Sequence, residues 1–410
     1  MTVPGPAGDP VHRSAVARRL LGDLPSAVGV LAAVAFAVAL GFGIVAPVIP
    51  LFAREFGVGN AAAGAVVSAF ALMRLTSALA GGRLVDRFGE RAVLAAGLAI
   101  VGVSSVLAGL AQSYPQLLVL RGVGGVGSAM FTVSAVSLLL RIVRSDQRGR
   151  ASAWFQGGFL VGGVTGPAFG GALATISLRA PFFVYAGTLA AALAITVTAL
   201  RGAAGPPAAT DGASPSRSSL RAAFADPAYR AALVTNLGNG WVLFGIRSSL
   251  IPLFVADVLG RTAFWVGIGF LVGSLTQAAA LWPSGRIVDQ VGRKPAMVGG
   301  SVLGVASMAL LIGVQTLPGF LAAMALYGIA AAFLGVAPAA VVGDVVHGQG
   351  GRVVATFQMA ADLGAVAGPL LAGWLADEVN FSAALAAGAI VIGVAAVLAA
   401  RMPETRQGND

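Results

Sequence analysis

The sequence contains no cysteine, only two histidines and a single lysine in 410 residues. Without cysteine there is neither a disulfide framework nor a thiolate metal site. The histidines, His12 and His347, fall outside the long apolar runs, so no imidazole is placed for buried acid–base work or for holding a metal. The lysine, Lys294, does not sit in a GxxxxGK[ST] loop, and no such loop occurs, which excludes an ATP-driven engine. No catalytic constellation remains, and an enzyme is not expected. Charge is scarce too: Asp, Glu, Lys and Arg make up 10% of the chain, against about 25% in soluble domains. A chain this long cannot cover itself with a water-compatible surface from so few charges.

What is abundant is apolar sequence, 57% of residues with a mean hydropathy of +0.88. It falls into runs of about twenty residues, the length that crosses a hydrocarbon core of about 30 Å. Twelve spans are predicted, at 27–52, 61–82, 92–111, 116–140, 151–176, 181–200, 231–256, 264–285, 295–314, 318–343, 353–376 and 381–400. The fold class is therefore an all-α membrane protein. Of the 26 Lys and Arg residues, 20 fall on the side that holds both termini. Arg54, Arg179 and Arg261 lie on the other side, and Arg74, Arg121 and Arg247 lie inside spans. The net charge of +10 thus reads as a topology signal that makes the terminal side cytoplasmic, and no nucleic-acid partner is expected. Residues 27–52 are too long for the apolar region of a signal peptide and contain Pro47 and Pro50, so they are read as span 1.

The chain repeats itself. Gly82-Arg-Leu-Val-Asp86-Arg87-Phe-Gly89 returns 203 residues later as Gly285-Arg-Ile-Val-Asp289-Gln-Val-Gly292. Gly162-x3-Gly166-Pro167-x2-Gly170-Gly171 returns after 202 residues as Gly364-x3-Gly368-Pro369-x2-Ala372-Gly373, and Gly149-Arg150 returns as Gly351-Arg352. Six spans are duplicated as six in the same orientation, an arrangement that places a substrate site near the midplane between the halves. The expected divisions are a tail (1–26), a first six-helix bundle (27–200), a linker rich in Ala, Pro and Ser (201–229), a second bundle (230–401) and a short tail (402–410).

These motifs resemble those of the major facilitator superfamily, and within it the twelve-span drug:proton antiporters. The loop Gly82–Arg91 is similar to that family's most specific motif. The resemblance implies that Asp86, with Gly82, Arg87 and Gly89 and the second copy's Asp289 and Gly292, forms a cytoplasmic gate. Glu90 departs from the pattern, which has a basic residue there. The run Gly162 to Gly171 resembles the motif associated with exporters; its glycines permit close helix packing, and Pro167, like Pro369 beside Gly368, favours a kink. Arg121-x3-Gly125-x-Gly127 in span 4 is family-like as well. Gly122-x-Gly124-x2-Gly127 also matches a dinucleotide fingerprint, but it sits inside a long apolar span without the strand that fingerprint needs.

Charged groups within spans are costly and so mark function by default. Asp362 is the one acidic residue well inside a span, about 15 Å deep at 1.5 Å per residue from Arg352. Two readings stand: it carries the coupling proton, or it forms a structural ion pair with an intramembrane arginine. Span 1 lacks the acidic residue that many of the family's drug exporters carry. The repeat pairs Arg74 with Gln277, and Gln156 with Gln358, at matching depths. These four either line one shared cavity or hydrogen-bond between helices. Arg121, Arg247 and Asn239 are further cavity candidates. Three arginines against one acid point to neutral, zwitterionic or anionic amphiphiles as substrates. The expected protein is an exporter exchanging small molecules for protons in a plasma membrane, a monomer as the resemblance implies, without a cofactor. Nutrient uptake, and a non-transporting scaffold or sensor, are the rivals.

Overall fold

A computed structural model describes residues 24–144, 147–200, 220–345 and 351–405, apart from the side chains of Leu79 and Gly351. It contains twelve helices long and apolar enough to cross a membrane. We call them spans 1 to 12: Ser26–Val45, Asn60–Phe88, Glu90–Gly109, Tyr114–Ile142, Arg148–Ala174, Ala180–Ala199, Pro227–Asp257, Ala263–Gln290, Arg293–Gly313, Leu317–Val345, Gly351–Glu378 and Phe381–Arg401. The linker residues 201–219 lie outside the described set; a short helix, Leu220–Ala225, follows them and leads into span 7.

Span 1 is shorter than its apolar run predicts. It stops at Val45, and a separate helix, Ile49–Arg54, continues the path. The cause is local: Pro47 lacks an N–H and its ring opposes continuation of the α-helix, while Pro50 suits the first turn of the next helix. The duplicated loops behave alike. Gly89 ends span 2 with φ of 79° and Gly292 opens span 9 with φ of 139°. Both angles favour glycine and allow a one- or two-residue reversal between long helices.

Glycine also sets how each half packs. A methyl group on Gly158, Gly162, Gly166 or Gly170 of span 5 would collide with the carbonyl of Ala32, Phe36, Leu40 or Ile44 of span 1. Four glycines at intervals of four thus bring two helix backbones into contact. In the second half Gly364 and Gly368 of span 11 meet the backbone of span 7 at Leu237 and Trp241, and Gly240 and Gly245 return the contact at Ala361 and Gly368. Spans 1 and 5, and 7 and 11, are equivalent pairs, so the repeat motif codes for the same close packing twice. Within span 7, Trp241–Leu250 is π-helical.

The halves meet along spans 2 and 11 on the face opposite the arginine-rich loops. There the Asp377 carboxylate, near the end of span 11, accepts from the backbone N–H of Asn60 (2.9 Å) and Ala61 (2.8 Å), the first residues of span 2. Arg54 pairs with Asp257 at 3.1 Å. Further in, Gly64 lies against Pro369 and Ser68 Oγ donates to the carbonyl of Val366 at 2.7 Å. Spans 5 and 8 touch at Gly171 and Gly267 on the same face. On the arginine-rich face, positions Gly82, Gly149 and Gly285 have open space where a side chain would be.

Candidate functional site

Between the halves lies a cavity of about 450 Å³, bounded by spans 1, 2, 4, 5 and 6 of the first half and 7 and 8 of the second. Seven aromatic residues contribute to its wall: Phe42, Phe70, Phe131, Phe159, Phe244 and Phe270, with Tyr185. Polar groups reach it at Arg74, Gln156, Arg247 and Ser248, and Pro167 and Gly43 complete the side where spans 1 and 5 touch. An apolar chamber with few polar anchors can hold amphiphiles without demanding one shape.

Asp362 and Arg74 form an ion pair across the halves, span 11 to span 2. It is the innermost of the contacts that close the opposite face, and its arginine borders the cavity. The Arg74 guanidinium also stands 5.9 Å from the Phe244 ring centroid, a second contact across the halves.

The other two intramembrane arginines have no carboxylate partner among the described residues. Arg247 lies on the π-helical stretch, whose wider turn carries Leu243, Phe244, Arg247 and Ser248 to the cavity. Its Nη2 donates to Ser274 Oγ (2.8 Å) and the Phe270 carbonyl (3.2 Å), and its guanidinium lies over Phe270 at 4.8 Å. Arg121 is 3% exposed and sits over Phe70 at 4.6 Å, behind the wall that Phe70 forms; its Nε has no hydrogen-bond partner. Ring faces are attractive surroundings for a cation short of acceptors.

The remaining sequence-predicted positions are spread out. Gln156 is exposed and lines the cavity, whereas its repeat partner Gln358 is exposed on span 11, one turn before Asp362, and does not border it. Gln277 on span 8 and Asn239 on span 7 are half-buried and also lie outside the cavity wall. Of the gate residues, Asp86 and Arg87 are exposed, and among the described residues Asp86 pairs with no cation; Arg87 leans on the adjacent Phe88 ring. Asp289 reaches Arg293 at 3.8 Å. Gly162, Gly166 and Gly170 pack against span 1, Gly171 against span 8, and Gly368 against span 7.

Glu90 has a partner within its own half, Arg141 at 3.0 Å. The equivalent pair 203 residues on is Arg293 with Asp344, 2.9 Å apart and opposite in polarity. The second pair is reinforced: Glu404 caps the start of span 9 through the N–H groups of Arg293 (2.8 Å) and Lys294 (3.1 Å), and Thr405 Oγ1 donates to Asp344. A search restricted to apolar spans could not see these pairs; reading the two repeats against each other for charge would have exposed the inversion. No cluster of His, Asp and Glu fit to hold a metal occurs among the described residues.

The model of the Major Facilitator Superfamily matches residues 31–274 and 248–409. Multidrug resistance protein 1 of Bacillus subtilis (strain 168) is 26% identical over 371 residues, 89% of this chain and 93% of that protein. Quinolone resistance protein NorA of Staphylococcus aureus (strain Mu50) is 30% identical over 154 residues, 38% of this chain and 39% of its own. Among solved structures, a bacterial homologue of the human lysosomal transporter Spinster, in an inward-facing and occupied conformation, superposes with a TM-score of 0.76 at 16% identity, covering 94% of this chain and 98% of that one. The human organic anion transporter MFSD10 gives a TM-score of 0.65 at 19% identity, with coverage of 91% and 98%.

Proposed function

Since the chain belongs to the major facilitator superfamily, a family of membrane transporters, we propose that it exports small amphiphilic molecules by alternating access in exchange for protons. The arginine-rich face is cytoplasmic in this reading, the membrane is the plasma membrane, and the monomer is the working unit. The observation that carries the proposal is the Arg74–Asp362 pair at the inner end of the interface between the halves, beside the cavity that its arginine lines. The two drug-resistance relatives support the outward direction.

The proposed cycle uses these contacts. Substrate enters from the cytoplasm and settles among the phenylalanines. The halves then rock, spans 2 and 11 part on the outer side, and the Asp86 loop closes the inner side. Substrate leaves, and a proton from outside binds the Asp362 carboxylate, cancelling the charge that held Arg74. On return the proton is released to the cytoplasm as the carboxylate pairs with Arg74 again, so one proton moves in for each substrate expelled. With Arg74 balanced by Asp362, Arg121 and Arg247 leave the cavity positively biased, which suits neutral, zwitterionic or anionic substrates and disfavours strong cations.

The test is steady-state accumulation of an anionic fluorescent amphiphile, 8-anilinonaphthalene-1-sulfonate, in energised cells. Expressing the protein lowers accumulation, a protonophore restores it, and Asp362→Asn behaves like cells without the protein. Raised accumulation would overturn export in favour of uptake. Undiminished, protonophore-sensitive export by Asp362→Asn would overturn the coupling role.

A further inference from the structure

A separate groove of about 640 Å³ lies on the arginine-rich face, where the helix Leu220–Ala225, the start of span 7 and the end of span 12 meet. Arg230 and Arg401 stand on it above Phe224, Leu233, Val234 and Leu398. Both arginines are exposed, and among the described residues neither pairs with a carboxylate. Asp226, the acid nearest in sequence, is engaged elsewhere: its side chain caps span 7 by accepting from the Ala228 N–H at 2.7 Å. The groove shares no lining residue with the transport cavity.

Depth gives the groove its meaning. Arg230 is in the first turn of span 7 and Arg401 is the last residue of span 12. Leu233 and Val234 lie three and four residues further into span 7, and Leu398 three residues back into span 12. Both walls therefore present a guanidinium at the membrane boundary and an aliphatic side chain about one helical turn deeper on the same face. A phospholipid has the same profile, with its phosphate at the boundary and acyl chains beneath. Guanidinium groups bind phosphate oxygens in pairs, and basic pockets between cytoplasmic helix ends suit anionic headgroups.

We propose that this groove binds an anionic phospholipid, its phosphate held by Arg230 and Arg401 and an acyl chain lying over Leu233, Val234 and Leu398. A zwitterionic lipid brings a compensating cation to the two arginines, and free phosphate leaves the apolar half unfilled. Both bind more weakly. The lipid pins the helix that follows the linker to the last span, joining the two ends of the second half.

Native mass spectrometry of the full-length protein, with phosphatidylglycerol and phosphatidylcholine of matched chains, tests the selectivity. The wild type retains phosphatidylglycerol preferentially. Arg230→Gln with Arg401→Gln lowers that affinity by about tenfold, as expected for two exposed charge pairs, whereas Arg261→Gln on the opposite face leaves it unchanged. The absence of cysteine provides a second readout that does not require the double variant to fold. In Val234→Cys the new thiol reacts freely with a maleimide in lipid-free detergent and is protected by phosphatidylglycerol, but not by inorganic phosphate or phosphatidylcholine. A preference that survives the double variant would overturn the proposal. Protection by inorganic phosphate alone would make this a simple anion site, and a thiol already shielded without lipid would mean that another part of the chain or a second copy fills the groove; either result also overturns it.

Discussion

Arg74 and Asp362, 288 residues apart in sequence, meet as the only ion pair between intramembrane side chains of opposite halves among the described residues. Their side chains remain 32% and 22% exposed, so the pair is neither fully solvated nor sealed. That intermediate position suits a switch, because a locked buried pair would resist opening and a solvated one would transmit little.

Neutralising one partner is therefore expected to cost more than neutralising both. Arg74→Gln leaves a lone carboxylate near the midplane, and adding Asp362→Asn removes it. A double-mutant cycle on thermal unfolding in detergent should return a coupling of ~1 kcal/mol. Additive single effects would show that the pair does not hold the halves together.

The glycine contacts give a sharper contrast within one helix. Gly162→Ala places a methyl against the Phe36 carbonyl and is expected to destabilise by about 1–3 kcal/mol, the usual cost of overpacking. Gly157→Ala, five residues away with open space at its Cβ, should be neutral or slightly stabilising. Melting temperatures of the two variants, measured side by side, decide the point.

At the outer end, Asp377→Asn removes the negative charge from the start of span 2. A charge at a helix N-terminus contributes ~0.3–1 kcal/mol, so the equilibrium should move about two- to fivefold toward the state open on that side. Ser249, 2% exposed and packed against Gly64, is a suitable reporter. Labelling of Ser249→Cys by an impermeant maleimide should speed up by that factor in the Asp377→Asn background. An unchanged rate would remove Asp377 from the gate.

The inverted pairs make a fourth prediction. Glu90→Arg sets two arginines against each other and should lower thermal stability, by ~0.5–1 kcal/mol for partly exposed groups. Combining it with Arg141→Glu, which gives the first half the polarity of the second, should recover the loss. If the single variant is as stable as the wild type, the Glu90–Arg141 pair contributes nothing.

Much of the architecture was legible in the sequence. The twelve spans follow from apolar run length, the duplication from a constant offset, and the depth of Asp362 from its place as the lone acid well inside a span. The polar side chains were harder to place. Gln156 lines the cavity and Gln358, its repeat partner, does not, because facing direction depends on how helices tilt and pack, which the repeat offset does not encode. The phenylalanine wall was invisible, since an apolar ring reads alike whether it faces lipid, a neighbouring helix or a chamber. The π-helical stretch of span 7 and the break in span 1 also went unpredicted, although Pro47 and Pro50 carried the physical cause of the latter. Arg74 was singled out by its depth, but its pairing with Asp362 joins residues from different halves, and only the fold brings them together.

Side chains between two helices act as springs, and at the glycines of spans 1 and 5 or 7 and 11 backbone meets backbone without one. Each such pair is in effect one beam, with its compliance removed along the length of the glycine run. Bending or sliding within a pair would drive backbone into backbone, so a change of state has to be taken up at the junctions between beams. Those junctions carry the contacts that can be exchanged one at a time: a hydroxyl on a carbonyl at Ser68, a carboxylate on two amides at Asp377, a single ion pair at Arg74. Stiffness is concentrated where the chain repeats itself, and reversibility where the two copies meet.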